Sequence, residues 1–424
     1  MPVITLPTLH RGQVDAFHAA GRFRTTRCGR RWGKTTYAVT MACDGAIKGK
    51  PVGYFAPEYK FISEAYQQIR DILRPITVRA SEGRGVISTR GGGRVDFWSL
   101  DNPNAGRSRK YWKAIIDEAA FTKDNMREIW DRSIAPTLLD YIGTAEVLSN
   151  TNGVRKENFF WQACHDRSLE FSDYHAPTSG NPGMSKAELR RLETINHPLV
   201  FAQEYGAEFV DWSGVAFFAK DKLLLRGAPA PIPVGASAIY AVIDTAIKDG
   251  AKHDGTAVAY FARSAHHGVP LTLLDWDIVQ VEGATLINWL PSVEQRLIDL
   301  AVLCRCKSVT GIFIEDKGSG TMLLQQASKL TRGIRAIPLP SKLTAIGKDA
   351  RAMNVSGHVY NDRVKFSEVA WEKKTMFKGV LDNHMLSQIT GFRMADPDAH
   401  KRMDDGLDVF CYGLAIGLGN VEGF

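Results

Sequence analysis

The stretch Cys28-Gly-Arg-Arg-Trp-Gly-Lys-Thr-Thr36 constrains this chain more than any other. It lies between a strand-like run, Arg22–Cys28, and a segment with helical apolar spacing, Lys34–Ile47. Gly33-Lys34-Thr35 is the end of a phosphate-binding loop. In such a loop backbone N–H groups converge on phosphates at a helix N-terminus, a lysine neutralises charge, and a hydroxyl holds Mg²⁺. The usual first glycine is absent: Cys28 stands there, with Gly29 one place later. The tripeptide alone is also what a surface Gly-Lys-Thr at a helix start would show.

A second element narrows the choice. About eighty positions on, Ala-Ile-Ile-Asp117-Glu118 reads as a buried strand running into two acids. An aspartate there suits a Mg²⁺ ion, and the following glutamate suits polarisation of an attacking water. Around both, strands alternate with helices: 52–56, 62–73, a hairpin at 85–100 turned on three glycines, and 144–150. That alternation predicts a parallel α/β sheet over residues 1–210, ending in a helical tail from about 155. An Ala/Pro/Gly-rich stretch within 211–237 reads as a linker.

Residues 238–424 carry a different order. Strands are expected at 238–244, 256–263 and 271–279, a helix at 285–304, a strand at 309–315, a helix at 319–330, a strand at 334–338 and a last helix from near Asp404. This is the order of an RNase H-like domain. Its acids sit at element ends: Asp244, Glu315, and the group Asp404, Asp405 and Asp408. Carboxylates converging from separate elements can hold two divalent ions ~3.5–4 Å apart for phosphodiester hydrolysis. Each acid alone would pass for a solvated turn.

Composition adds limits rather than an answer. The chain of 424 residues is 44% apolar and 23% charged, with formal net charge +7. Residues 1–210 hold 29 Lys/Arg against 23 Asp/Glu, and the remainder 24 against 23, so the basic excess is in the first half. That balance suits a polyanion without naming one. Six scattered cysteines argue for a reducing compartment. Cys304 and Cys306 have no neighbouring Cys/His pair to complete a metal site. No secretory leader or membrane-length apolar run is legible.

Taken together, Gly33-Lys34-Thr35, Asp117-Glu118, Asp244, Glu315 and the Asp404–Asp408 cluster resemble the large subunit of tailed-bacteriophage terminases. The resemblance covers nearly the whole chain. It implies a P-loop packaging ATPase of the additional-strand, catalytic-glutamate type, joined to an RNase H-like nuclease. It implies ATP with Mg²⁺ in the first half and two Mg²⁺ or Mn²⁺ in the second. The implied partners are double-stranded DNA, a portal protein, a small terminase subunit and further copies in a ring, with no membrane. The implied place is the host bacterial cytoplasm, transiently at the procapsid portal vertex.

The resemblance also carries over residue roles. Terminase loops often replace the first glycine and place an arginine four residues before the lysine, here Arg30, as a γ-phosphate finger; Arg31 is the alternative. Lys34 and Thr35 bind phosphate and metal, Asp117 holds Mg²⁺ and Glu118 acts on water. Ser149, Asn150 and Thr151 match a coupling segment. Gln13 matches an adenine reader, and Arg107 or Arg109 an arginine acting in trans. Asp244 and Glu315 match the first two nuclease acids. Asp405 is favoured as the third, assisted by Asp404 or Asp408, with Asp254 auxiliary and Asp316 an alternative ligand. Two other readings stay open: a stand-alone DNA repair or recombination ATPase-nuclease, and a non-enzymatic prophage-derived assembly protein.

Overall fold

The computed structural model describes residues 3–213, 217–245, 255–264, 268–280, 286–306, 308–316, 319–330, 335–394, 396 and 403–419. The chain divides into two compact units, Met1–Thr194 with Pro198–Asp211, and Ile195–His197 with Trp212–Phe424.

The first unit is built on eight strands: β1 (Phe23–Cys28), β2 (Pro51–Ala56), β3 (Thr77–Ser81), β4 (Val86–Thr89), β5 (Arg94–Ser99), β6 (Lys113–Ile116), β7 (Thr144–Ser149) and β8 (Phe171–Ala176). They lie in the order β3-β4-β5-β2-β6-β7-β1-β8. From β5 to β8 every neighbouring pair is parallel, while β3 and β4 add an antiparallel edge. The central strands are apolar on both faces because both faces are covered. Val52, Tyr54, Ile115 and Leu148 join one core with the helices Lys34–Ile47 and Tyr59–Leu73. Their strand neighbours Phe55, Ala114, Ile116 and Val147 point the other way, toward Trp130, Phe159 and Phe160.

β7 lies between β1 and β6. The loop after β1, the acids after β6 and the end of β7 therefore leave the sheet along one edge, where open α/β sheets bind their ligands.

Two edge strands depart from the sequence reading. The sequence pattern gives no sign of β3, and β8 falls inside the expected helical tail. Phe-Ser-Asp-Tyr-His-Ala is too polar to read as a buried strand, but it lies at a sheet edge. There Asp173 accepts from Thr25 Oγ1 at 2.9 Å and pairs with Arg27 at 2.8 Å, which fixes it beside β1.

The second unit has a six-stranded sheet, formed by β9 (Ala238–Asp244), β10 (Thr256–Arg263), β11 (Leu271–Val279), β12 (Val309–Ile314), β13 (Ala336–Pro338) and β14 (Val364–Phe366). The order is β13-β12-β9-β10-β11-β14, antiparallel across β9, β10 and β11 and parallel elsewhere. A separate hairpin pairs β15 (Thr375–Phe377) with β16 (Val380–Asp382). The stretch expected as a linker packs into this unit in its described part. Phe218 and Leu223 are fully buried, and Ala230 bridges to Ser367.

The last helix, Asp405–Leu418, lies close on the sheet because it carries glycines where it crosses. A Cβ at Gly413 would stand 2.1 Å from the Phe261 ring, and Tyr240 donates its phenol proton to the Gly413 carbonyl at 2.7 Å. This seating brings the helix N-terminus to the ends of β9 and β12.

Candidate functional site

The phosphate loop explains its own departure from the usual pattern. Cys28 is the last residue of β1, paired with Ala176, fully buried, with its thiol donating to the Thr26 carbonyl at 3.5 Å. Nothing there requires glycine. The requirement falls on Gly29, where a Cβ would stand 2.4 Å from the Tyr205 carbonyl oxygen and 2.5 Å from Thr178 Oγ1. Gly33 caps the helix at φ +98°, a left-handed conformation that favours glycine.

The loop backbone is held from outside. Thr178 Oγ1 donates to the Arg30 carbonyl at 2.6 Å, and Asn181 Nδ2 to the Arg31 carbonyl at 2.7 Å. Gln13 Nε2 donates to the Gly33 carbonyl at 2.9 Å, and His10 Nε2 contacts the Trp32 carbonyl at 2.8 Å. Gln13, expected to read adenine, is buried, with its amide holding the His10 N–H and the Gly33 carbonyl.

Lys34 lies over the acids that follow β6. Its ammonium is 2.5 Å from Glu118 and 3.6 Å from Asp117. Burial pulls the Lys34 pKa down, but the Asp117 and Glu118 carboxylates outweigh it and hold the group above its ordinary value. For Glu118 burial wins: it is held above the usual carboxylate range despite Lys34. Asp117 is oriented on both oxygens, by Tyr54 OH at 2.8 Å and by the Glu118 N–H at 2.9 Å. Glu118 itself is left-handed at φ +55°. Its Oε2 is buried with no hydrogen-bond partner among the described residues. A left-handed, under-satisfied glutamate beside a buried lysine fits a site shaped for phosphate, metal and water.

The neighbouring expectations separate. Ser149 accepts from the Ala120 N–H at 3.1 Å, tying the end of β7 to the turn after Glu118. Thr151 donates to the Gln203 and Glu208 carbonyls, at 3.1 and 2.8 Å. Asn150 follows Ser149 at the end of β7 and is half-buried. Arg30 pairs with Glu204, and its charge is felt at Glu118. Arg31 is exposed at φ +62°. Arg107 is held by Asn104 Oδ1 at 2.9 Å, and Arg109 lies 3.9 Å from Asp96. Thr35 follows Lys34 in the helix's first turn.

In the second unit the ends of β9 and β12 and the last helix bring together Asp244, Glu315, Asp405 and Asp408. Asp244 is pushed well above the usual carboxylate range, by burial first, then by Asp408, by a hydrogen bond with Glu315 and by Asp405. Asp408 is the leading charge on Asp244 and also feels Glu315. Asp405, favoured as the third acid, bears on Asp244 and accepts the Gly255 N–H on Oδ2 at 3.0 Å. Asp404 pairs with Lys348, and Asp408 with Arg351. Asp316 accepts from Thr321 Oγ1 at 2.8 Å and is exposed. Asp254 lies outside the described residues.

Among the described residues no three His, Cys, Asp or Glu side chains already stand at metal-ligating geometry. Two of the expected ligands are engaged by cations. Yet Asp244 stays charged only at high cost among its acidic neighbours, the environment a divalent cation relieves.

Several partners here were not legible in the sequence. Tyr412 follows Asp408 by four residues, a same-face spacing, and donates to Glu315 at 3.2 Å. Lys348 and Arg351 arrive from a segment whose structure the sequence pattern did not resolve. Lys348 also lines a cavity of about 400 Å³ with His384, Phe392, Arg393 and Asp404.

The first unit is a P-loop ATPase fold with its lysine and acids in place, and the second an RNase H-like fold with an acidic centre. Comparison with solved structures specifies the pairing. The large terminase of a thermophilic bacteriophage matches at 12% identity over 97% of this chain and 99% of that one, with TM-score 0.63. The same protein in complex with ADP matches at 11% over 96% and 98%, TM-score 0.62. Its complex with ATP-gamma-S gives 12% over 96% and 98%, TM-score 0.61. The fold of this chain is that of a bacteriophage large terminase. No protein-family model and no curated protein matches the sequence.

Proposed function

We propose that the chain is a large terminase subunit that hydrolyses ATP to drive double-stranded DNA into a procapsid and cuts that DNA with a metal-dependent nuclease. The observation that carries this reading is Lys34 held between Asp117 and Glu118 in one chain with the Asp244–Glu315–Asp408 cluster, on the matching two-unit fold. The thermophilic-phage terminase is the one described with ADP and ATP-gamma-S, which supports the nucleotide assignment here.

In the first unit Gly33 and the helix start present N–H groups to phosphate, and Lys34 turns from its carboxylates to the phosphate charge. Thr35 and Asp117 would hold Mg²⁺, which shields the negative oxygens of the transferred group. Glu118, raised by burial, takes the proton of the attacking water. Arg30 is proposed for the γ-phosphate role on its place in the phosphate loop, where its carbonyl is fixed by Thr178 and its side chain pairs with Glu204. Ser149 connects that turn to β7, and Thr151 connects β7 to residues 203–208, which also carry Glu204, the partner of Arg30. Loss of γ-phosphate would therefore be felt along this chain of bonds. Gln13 holds the loop beside the position proposed for adenine recognition, and Arg107 and Arg109 are candidates for a trans role where a second copy approaches.

In the second unit Asp244, Glu315 and Asp408 would hold a divalent cation, Mg²⁺ or Mn²⁺, which supplies a water of lowered pKa for attack on a phosphodiester. Asp405 fixes the backbone at Gly255. Contacts to duplex DNA are expected mainly at phosphates, hence salt-sensitive and weakly selective for sequence. A portal protein, a small subunit and a ring of copies belong to the same proposal, as does action in the host cytoplasm at the portal vertex.

Plasmid cleavage with Mn²⁺ tests it. Wild type and Lys34→Ala should cut and Asp244→Asn should not, whereas wild type and Asp244→Asn should turn over ATP and Lys34→Ala should not. Equal cleavage by all three proteins would overturn the nuclease assignment.

A further inference from the structure

The proposed chemistry gives no task to Arg351. It stands on the helix Lys348–Tyr360, three residues after Lys348, so both cations leave the helix on one side. Its side chain is only 10% exposed, and it pairs with Asp408. The guanidinium carbon lies 4.3 Å over the Tyr412 ring, and Nη2 donates to the Ile346 carbonyl at 3.3 Å. Tyr412 in turn donates to Glu315. The arginine is thus fixed by a ring, a carbonyl and a carboxylate, inside the acidic centre. Its Nε is buried with no hydrogen-bond partner among the described residues.

We infer that the acidic centre takes one divalent cation, among Asp244, Glu315 and Asp408, and that Arg351 supplies the fixed positive charge that a second ion would otherwise provide. The inference rests on the nuclease reading. A guanidinium keeps its proton at any working pH, so its charge is permanent. It pairs with Asp408 through Oδ1. A second divalent ion at the usual ~3.5–4 Å spacing would have to compete with that guanidinium for the same carboxylate. Lys348 pairs with Asp404 in the same manner, a second cation from the same helix.

The experiment counts ions rather than turnover. Mn²⁺ is titrated into the full-length protein without nucleotide, free ion is read by electron paramagnetic resonance, and wild type is compared with Asp244→Asn. The difference is the number of ions at this centre. One ion is expected. Two overturns the inference while leaving the nuclease reading standing, and none overturns the nuclease reading itself. In Arg351→Met the count should rise to two, and in Arg351→Lys it should stay at one. A count of one in a stably folded Arg351→Met protein overturns the role given to the arginine. Should that variant melt early, the wild-type count still decides.

Discussion

The two units answer the same electrostatic problem, several buried carboxylates in one place, in different ways. In the first, the counter-charge is Lys34, supplied by the phosphate loop itself and lying 2.5 Å from Glu118. In the second, the counter-charges are Lys348 and Arg351, supplied by a helix far along the chain from Asp244 and Glu315. On the proposed reading the first arrangement is exchangeable, since a lysine on a flexible stem would leave its carboxylates for a phosphate. The second is fixed, since Arg351 is held on several sides. The first unit's cation opens the helix that follows the phosphate loop, whereas the second unit's cations come from a helix remote in sequence from the acids of β9 and β12.

That contrast can be broken in order of effect. Glu118→Gln removes the base but keeps shape and hydrogen bonding, so kcat for ATP should fall by ~10²–10⁴ with nucleotide affinity retained. Turnover is read by phosphate release and binding by a fluorescent nucleotide. Turnover near wild type would remove Glu118 from its role. Because Glu118 is held above the ordinary value by burial, activity should also fade on the acid side at a higher pH than a free glutamate would dictate.

The second prediction concerns stability. Burial, with Arg363 adding, lowers His358 to about 4. A group whose folded pKa lies below its unfolded value binds more protons when unfolded. Its contribution is therefore present above the unfolded value of ~6.5 and lost as pH falls toward 4. The second unit should lose on the order of 1–3 kcal/mol over that interval, discounted for partial exposure. Replacing His358 by Gln should flatten the loss, as followed by thermal melting across pH. An unchanged pH slope would place the titration elsewhere.

Tyr54→Phe gives the smallest effect. It removes the phenol that orients Asp117 and keeps the buried ring. Such an orienting bond typically carries ~10–100-fold in metal affinity, and the lower end is expected, since the Glu118 N–H still holds the other oxygen. Isothermal titration of Mg²⁺ in the presence of a non-hydrolysable nucleotide reads it directly, and an unchanged affinity would show that Tyr54 only packs.

Much of both sheets was legible because strand and helix periods are local properties. β9, β10 and β11 fall where alternation and turn residues put them. β8 was not legible, because an edge strand takes its order from a neighbour: Asp173 reads as a loop residue until Thr25 and Arg27 are beside it. The segment 341–391 was equally opaque. Most of its helices are short and its strands have three residues each, too brief for either period to show.

The sequence by itself determined the chemistry-bearing types and their order: Gly33-Lys34-Thr35, Asp117-Glu118, Asp244, Glu315 and the Asp404–Asp408 run, each at the end of a strand or the start of a helix. Spacing along the chain suffices for that, since a motif within one turn carries its own geometry. Tertiary structure alone decided which groups share a charge environment. It assigned Gln13 to the Gly33 carbonyl, set both Asp405 and Asp408 against Asp244, and delivered Arg351 to Asp408. These are contacts between residues tens to hundreds of positions apart. Their energies depend on distance and burial in space, which no local pattern encodes.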